Sequence, residues 1–158
     1  MKQVTILFLL RGDEVLLAMK KRGFGAGKWN GVGGKTDEGE TIEHAAIREC
    51  QEEIGVTPRQ LQRVGDIQFY DKSDPSFGHH AHVFTTTEWD GEPVETEEMR
   101  PQWFKTDAIP YNEMWAADSL WMPRVLRAEP FEGTITFDGE TLVSHTIKPI
   151  PAPSREGT

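Results

Sequence analysis

The apolar residues of this chain fall into short runs, separated by turns rich in glycine, proline and charged residues. Residues 2–10 and 14–19 are rich in Val, Ile, Leu and Phe, and Arg11-Gly12-Asp13 between them has the composition of a turn. The chain is therefore predicted to open with a β-hairpin. Further strands are predicted at 61–70, at 81–87, at the end of 94–104, and in a closing hairpin of 131–137 with 141–147.

Between Thr41 and Gly55 the apolar positions change to a helical spacing. Ile47, Cys50 and Ile54 are three and four residues apart, which places them on one stripe of a helix. Thr41 is suited to cap the start of that helix, and Gly55 is suited to end it. We therefore predict a helix over 42–54 that packs one face on a core.

The same helix carries three glutamates at helical spacing. Glu49, Glu52 and Glu53 stand at i, i+3 and i+4, so they share a stripe beside the apolar one. Like charges at this spacing repel each other, and something must compensate them. Several carboxylate oxygens in one place suit a hard divalent cation, so the pattern predicts Mg²⁺, with Mn²⁺ as the alternative.

The C-terminal part of the chain is predicted to hold one more helix and a tail. The helix lies within 111–127, where Asp118 or Ser119 can cap its start. From residue 149 the sequence has three prolines and no periodic pattern. These features predict one domain over 1–148 and a disordered tail over 149–158.

Composition narrows the class of protein. The chain has 158 residues, a net charge of −9 and a single cysteine, Cys50. The negative charge argues against nucleic-acid binding, and the apolar runs are too short to span a bilayer. One cysteine excludes an internal disulfide and a four-cysteine zinc site. We therefore expect a cytoplasmic monomer that binds neither nucleic acid nor membrane.

A small polyanionic substrate of such a protein needs a local positive element. Residues 20–30 offer one, because alternating glycines and four cations precede Trp29 and Asn30. Glycines let the backbone approach a ligand closely, and an asparagine side chain both donates and accepts hydrogen bonds. We interpret this loop as a contact to phosphate and base.

Three histidines invite a metal interpretation. His79, His80 and His82 stand at the predicted boundary between a turn-rich loop, 71–80, and the strand that follows. At such a boundary the side chains are expected to be solvated. We therefore predict a solvated histidine cluster rather than a metal site.

The spacing of the acidic stretch is also a signature. Gly34 is followed after five residues by Glu40, and after seven more by the run 48–56, Arg-Glu-Cys-Gln-Glu-Glu-Ile-Gly-Val. This pattern resembles the Nudix box at its defining positions, with Cys50 in the aliphatic place. Two further blocks, 19–35 and 97–104, together with Met114-Trp115-Ala116-Ala117-Asp118-Ser119, resemble the MutT-type branch and, within it, the oxidised purine nucleoside triphosphate hydrolases.

The resemblance implies a fold and an activity. The fold is an α+β (α/β) Nudix fold, an α/β/α sandwich around a mixed β-sheet with the box helix on one side. The activity is Mg²⁺-dependent hydrolysis of 8-oxo-dGTP and related triphosphates to the monophosphate and pyrophosphate, which cleanses the nucleotide pool.

Two alternatives stay open. One is a Nudix hydrolase of another nucleotide derivative, such as a methylated purine triphosphate, a sugar nucleotide or a capped RNA end. The other is a non-catalytic Nudix-fold binding module, although the retained box glutamates argue against it.

The resemblance also implies roles for residues at matching positions. Metal ligation falls on Gly33, Gly34, Glu49, Glu52, Glu53 and Glu98. Catalysis falls on the glutamate stripe, where Glu53 or Glu52 acts as base toward a water and Glu49 supports them. Substrate contacts fall on Thr5, Lys20, Phe24, Asn30, Val32, Gly33, Gly34, Lys35, Phe69, Trp115 and Asp118. Arg48 and Glu40 match positions that brace the box loop.

The chain departs from its relatives at one base-recognition position. The relatives carry two adjacent aspartates, whereas this chain has Ala117 followed by Asp118. When ionised, Asp118 accepts hydrogen bonds from the N1–H and exocyclic amine of a guanine-type base. Without the second carboxyl, the acceptor oxygen at position 6 needs another donor, such as water or Asn30. We therefore expect action on 8-oxo-dGTP to be retained and oxidised adenines to be handled less well.

Overall fold

A computed structural model describes residues 1–151, which form a mixed β-sheet with one helix on each face. The strands are β1 Lys2–Arg11, β2 Glu14–Lys20, β3 Trp29–Asn30, β4 Thr57–Arg59, β5 Gln62–Asp71, β6 Asp74–Thr86, β7 Glu88–Asp90, β8 Met99–Lys105, β9 Phe131–Asp138 and β10 Thr141–Pro149. The helices are α1 Ile42–Ile54 and α2 Asp118–Leu126, and a 3₁₀ turn spans Tyr111–Glu113. None of these helices is long and apolar enough to cross a membrane.

The main sheet runs in the order β10-β9-β5-β6-β1-β2-β3, and β8 pairs with β2. The pairs β1–β6 and β5–β9 are parallel, while the remaining pairs are antiparallel. The short strands β4 and β7 form a separate two-stranded sheet. This is the mixed sheet that the sequence predicts.

Alternate side chains of β1 build the two cores. Phe8 packs with Trp121 and Val125 of α2 on one face of the sheet. Leu7 and Leu9 pack on the other face, in the core that also holds the apolar side of α1. Because successive strand residues point to opposite faces, one strand supports both helices. The predicted α/β/α arrangement is confirmed.

Helix α1 begins and ends where the sequence predicts. The Thr41 side chain accepts a hydrogen bond from the backbone N–H of His44, and Gly55 ends the helix with φ +71°. One of the three residues predicted for the apolar stripe of α1 is wrong. Ala46, rather than Ile47, packs with Cys50 and Ile54 in the core.

The loop predicted over 71–80 is wrong. Strand β5 continues to Asp71 and β6 starts at Asp74, because the Asp71 side chain accepts hydrogen bonds from the backbone N–H and hydroxyl of Ser73 and so closes a tight turn. The histidines therefore lie on β6. His82 is buried, so the prediction of a solvated cluster is also wrong.

The ends of the predicted C-terminal elements differ in detail from the sequence interpretation. Helix α2 starts at Asp118 after Ala117, and no side chain caps it. Strand β10 includes Pro149, which pairs with Phe131. Within the predicted tail, residues 152–158 lie outside the residues that the structure describes.

Candidate active site

A cavity of about 260 Å³ opens on the sheet face that carries α2. Its walls come from β1, the glycine-rich loop before β3, strands β5 and β6, and the start of α2. Most of the residues predicted to contact substrate line it: Thr5, Lys20, Phe24, Asn30, Gly33, Gly34, Phe69, Trp115 and Asp118. The positions that the resemblance assigns to substrate binding therefore form much of the cavity wall.

Val32 and Lys35, also predicted to contact substrate, do not line this cavity. Val32 is buried in the core that packs on α1, and its backbone N–H and C=O pair with Leu7. Lys35 is exposed, and its carbonyl accepts a hydrogen bond from Arg48. Both residues hold the Gly33–Gly34 turn in place through their backbone atoms.

One part of the cavity, which we call the base end, has aromatic walls and a buried carboxyl; it comprises Phe24, Asn30, Phe69, Trp115 and Asp118. The rings of Phe24 and Trp115 are stacked, with centroids 5.2 Å apart and planes at 28°. Phe24 is 69% exposed, so this stack lies at the mouth of the cavity. Flat apolar faces of this kind suit a planar aromatic ligand.

Asp118 is the polar centre of the base end. It is only 3% exposed, and its Oδ2 atom has no hydrogen-bond partner within residues 1–151. Burial raises the pKa of this carboxyl from 3.8 to about 7, although the backbone of Trp115, the charge of Lys28 and the nearby Trp121 side chain lower it. The Trp121 indole N–H lies close to the carboxyl but without the geometry of a hydrogen bond. A buried oxygen without a partner is costly, and a ligand with hydrogen-bond donors would satisfy it.

The polar atoms of Asn30 are arranged for a complementary role. Its Oδ1 atom accepts a hydrogen bond of 2.8 Å from the backbone N–H of Gly31. This contact fixes the orientation of the side-chain amide, so its NH₂ group remains as a donor on the cavity wall. The base end thus offers a carboxyl acceptor and an amide donor.

The cavity wall also contains residues that were not individually predicted to contact substrate, among them Phe77, His79, Phe137 and, within the glycine-rich loop, Lys28. The Lys28 ammonium lies 5.0 Å from the ring centre of Trp115 and 2.8 Å from Glu140, so it joins the glycine-rich loop to the β9–β10 hairpin. His79 lies on β6 with its ring 4.3 Å from that of Phe77. The alternation of β6 would have placed His79 there if the strand had been recognised.

The Gly33–Gly34 turn forms one end of the cavity wall. The region on and beside this turn, which we call the acidic end, comprises the two glycines with Glu49, Glu52, Glu53 and Glu98; these glutamates do not line the cavity itself. A Cβ atom on Gly33 would lie 1.9 Å from the Thr5 carbonyl oxygen, and one on Gly34 would lie 2.7 Å from the Glu49 carboxyl carbon. Only glycine allows this approach. The turn therefore brings backbone atoms directly against the helix carboxylates.

The inner pair of carboxylates, Glu49 and Glu53, is largely buried. Glu53 Oε1 accepts a hydrogen bond of 2.8 Å from the Gly33 N–H. Burial, together with the charges of Glu49 and Glu98, raises the pKa of Glu53 to about 8, against the opposing effects of the Gly33 N–H and the charge of Lys20. Burial likewise raises the pKa of Glu49, with Arg48 acting against it.

The outer pair, Glu52 and Glu98, is mostly exposed. Glu52 accepts a hydrogen bond of 3.2 Å from Arg48, and Glu98 lies 3.6 Å from Arg22. Arg48 also pairs with Glu40 at 2.8 Å and with Glu49 at 2.9 Å, the bracing contacts that the sequence predicts for it. Four carboxylates thus surround one turn, two of them protected from water.

The donor set of the acidic end fits a hard divalent cation. It consists of carboxylate oxygens and the backbone of the glycine turn, the ligands that Mg²⁺ takes. Burial is the main reason that the pKa values of Glu49 and Glu53 are raised, and Arg48 and Lys20 only partly oppose it. Across 1–151, however, the only three ligand atoms within 4.8 Å of one another belong to Asp66, His80 and His82. The glutamates therefore surround the turn more loosely than a closed ligand set.

Comparison with known proteins agrees with this architecture. The profile of the NUDIX domain family matches residues 1–125. The chain is 46% identical over 147 residues to the oxidized purine nucleoside triphosphate hydrolase of Danio rerio, covering 92% of this chain and 94% of the relative. It is 45% identical to the enzyme of the same name from Mus musculus, with the same coverage. Among solved structures, the MutT protein of Bacillus halodurans superposes with a TM-score of 0.83 at 27% identity, over 96% of this chain and all of the other.

Proposed function

The chain belongs to the NUDIX family, and on that premise we propose that it hydrolyses oxidised purine nucleoside triphosphates, 8-oxo-dGTP among them, to the monophosphate and pyrophosphate. One observation carries the proposal. A cavity with a buried, unpartnered carboxyl oxygen between aromatic walls lies next to a cluster of carboxylates, which contacts the Gly33–Gly34 turn of the cavity wall. The first suits a purine, and the second suits a cation that holds a triphosphate.

At the base end, the purine ring lies against the aromatic walls and its edge faces Asp118. When ionised, Asp118 accepts hydrogen bonds from the N1–H and the exocyclic amine of an oxidised guanine. The free NH₂ group of Asn30 donates to the oxygen at position 6, since its Oδ1 atom is already engaged with Gly31. In this arrangement Asn30 supplies the donor that the oxygen at position 6 needs.

Ala117 needs a revised interpretation. Its side chain is fully buried among core residues and does not line the cavity. The change Ala117→Asp would therefore place a carboxyl in the core, and we expect it to destabilise the fold. Weaker action on oxidised adenines stays a prediction, which now rests on the donor and acceptor set of Asn30 and Asp118.

At the acidic end, we propose that Glu49, Glu52, Glu53 and Glu98, with the Gly33–Gly34 turn, hold Mg²⁺. When bound, the cation neutralises phosphate charge and lowers the pKa of a coordinated water. Glu53 is a better general base than Glu52, because it is buried and held by Gly33 through Oε1. Its Oε2 atom is left to take the proton from the attacking water. Lys20, on the cavity wall, contacts phosphate as a point charge.

Steady-state pyrophosphate release tests the proposal. With Mg²⁺, the chain is expected to turn over 8-oxo-dGTP with a higher kcat/KM than dGTP or 2-hydroxy-dATP. A preference for 2-hydroxy-dATP would contradict the assigned base contacts. Equal kcat/KM for 8-oxo-dGTP and dGTP would contradict the assigned substrate class. Replacing Mg²⁺ by Mn²⁺ in the same assay tests the metal assignment.

We further propose that the protein acts as a monomer in the cytoplasm, on free nucleotides and without nucleic acid or membrane. The net charge of −9 supports the absence of a nucleic-acid partner, because phosphate backbones attract basic surfaces. A cavity that one chain completes supports the monomer. Sedimentation of the purified protein, alone and with single-stranded DNA, tests both points.

A further inference from the structure

A second cluster of titratable side chains lies on the sheet face opposite the cavity. Asp66 on β5 and His80 and His82 on β6 bring their ligand atoms within 4.8 Å of one another. His79 and Ala81, their neighbours on β6, line the cavity on the other face. Because strand side chains alternate, β6 serves two different sites at once.

The backbone register fixes this cluster. Asp66 stands directly opposite His82 across the β5–β6 pair. His80 Nε2 lies 2.5 Å from Asp66 Oδ1, and His82 Nε2 lies 2.6 Å from Gln3 Oε1 on the neighbouring strand β1. Two histidines at i and i+2 with a cross-strand carboxylate form a rigid set of two nitrogen donors and one oxygen donor.

The surroundings allow access to the cluster. His80 and Asp66 border a depression of about 340 Å³, which is lined further by Gln68, Glu132, Gly133, Thr134, Thr146 and Lys148. The side chains of His80 and Asp66 are 24% and 33% exposed, whereas His82 is buried beneath them. The cluster therefore has one anchored ligand and two that solvent reaches.

Arg63 supplies the positive charge of the cluster in this structure. Its Nη2 atom donates a hydrogen bond of 3.1 Å to Asp66 Oδ2 and also contacts His82 Nδ1. One cationic group thus lies between a carboxylate and an imidazole nitrogen, as a bound metal ion would. The Arg63 side chain is 43% exposed, so it can turn toward solvent without unpacking the core.

We propose that Asp66, His80 and His82 form a binding site for a late first-row divalent ion such as Zn²⁺. The ion and the Arg63 guanidinium compete for this site. Imidazole nitrogens with one carboxylate suit Zn²⁺, Co²⁺ and Ni²⁺, whereas Mg²⁺ prefers oxygen alone. Ligands at zinc bond lengths stand about 3.3 Å apart, so the Asp66–His80 pair would open by less than about 1 Å. Water completes the coordination, and Gln3 holds the His82 ring through its Nε2 atom. A bound ion would connect β5 to β6 on one face while their other faces line the base end of the cavity.

Metal binding to tag-free protein tests this proposal without relying on hydrolysis. Excess Mg²⁺ is kept present to occupy the acidic end, Co²⁺ is titrated by its visible spectrum, and Zn²⁺ is titrated by calorimetry. We expect one equivalent per chain and a rise of Tm on adding Zn²⁺. His80→Ala and Asp66→Asn are expected to weaken binding by at least about tenfold, and Arg63→Ala to strengthen it.

The matched control is His145→Ala, which removes an exposed histidine on β10 outside the cluster and should leave binding unchanged. Circular dichroism of each variant shows whether it is folded, and buried His82 is left intact for that reason. Unchanged binding in folded His80→Ala and Asp66→Asn would overturn the proposal. Binding by Arg63→Ala but not by the natural chain would also overturn it, because Arg63 would then be the permanent occupant.

Discussion

The base end of the cavity and the acidic end beside it are built in different ways. The acidic end comes mostly from one continuous stretch, in which the Gly33–Gly34 turn lies against helix α1, and only Glu98 comes from elsewhere. The base end is assembled from β1, the glycine-rich loop, β5, β6 and the start of α2. One end depends on a backbone approach that only glycine permits, and the other depends on which side chains the sheet brings together. Substitutions at the two ends should therefore affect different kinetic constants.

The largest effect is expected at the acidic end. Glu53→Gln keeps the shape and the acceptor for Gly33 N–H but removes the base, so kcat should fall by about 10²- to 10⁴-fold. KM for 8-oxo-dGTP should change much less, because the base end is untouched. Pyrophosphate release under saturating substrate measures the difference.

Glu52→Gln is the matched control for that substitution. Glu52 is exposed and paired with Arg48, so its loss should reduce kcat less than the loss of Glu53. A larger defect in Glu52→Gln than in Glu53→Gln would make Glu52 the base and reverse the assignment. Equal thermal stability of both variants excludes unfolding as the cause.

At the base end the main effect is expected from Asp118→Asn. The amide offers one acceptor where the purine edge needs two, and a hydrogen bond to a charged group contributes about 1.5–3 kcal/mol. We expect kcat/KM for 8-oxo-dGTP to fall by about 10- to 100-fold, largely through KM. The variant should be at least as stable as the natural chain, because it removes a buried carboxyl whose Oδ2 atom lacks a partner. A fall in kcat alone would contradict this division between the two ends.

The pH dependence of stability sharpens the same comparison. The pKa of Asp118 is raised on folding from 3.8 to about 7, so its contribution to stability is fully present below pH 4 and is lost as the pH rises toward 7. Without this group, Asp118→Asn should gain Tm relative to the natural chain between pH 4 and pH 7, and the gap should then level off. Melting curves of both proteins across this range test it. A gap that shrinks with rising pH would contradict the raised pKa.

Ligand binding should show the opposite trend. The ionised carboxyl accepts both donors of the purine edge, so the product 8-oxo-dGMP should bind about tenfold more tightly at pH 8 than at pH 6. Calorimetry in EDTA removes the influence of metal on the acidic end. Asp118→Asn should lose this dependence.

The sequence predicts the acidic end better than the base end, because only the acidic end comes mostly from one continuous stretch. The glycines, the helix cap at Thr41 and the carboxylate spacing lie within one local pattern, so the acidic stretch could be interpreted without the fold. At the base end, resemblance to relatives indicated Trp115 and Asp118, but His79 was missed because the tight turn at Asp71 was interpreted as a loop. The metal cluster was missed for the same reason, since Asp66 meets His82 only through the β5–β6 register. Long-range pairing is information that a local pattern does not carry.

The smallest effect is expected from His79, the cavity histidine that this pairing reveals. Burial and the charges of Lys35 and Lys2 lower its pKa, so its ring is neutral near pH 7 and has one donor and one acceptor. His79 lies on the cavity wall, so its ring is placed to contact a bound purine. His79→Leu removes both groups and should raise KM for 8-oxo-dGTP by about two- to tenfold, the effect of one hydrogen bond. His79→Gln restores a donor and an acceptor, so it should recover part of that loss. If the two variants have the same KM, the contribution of His79 is its shape alone, and recognition at the base end rests on Asp118 and Asn30.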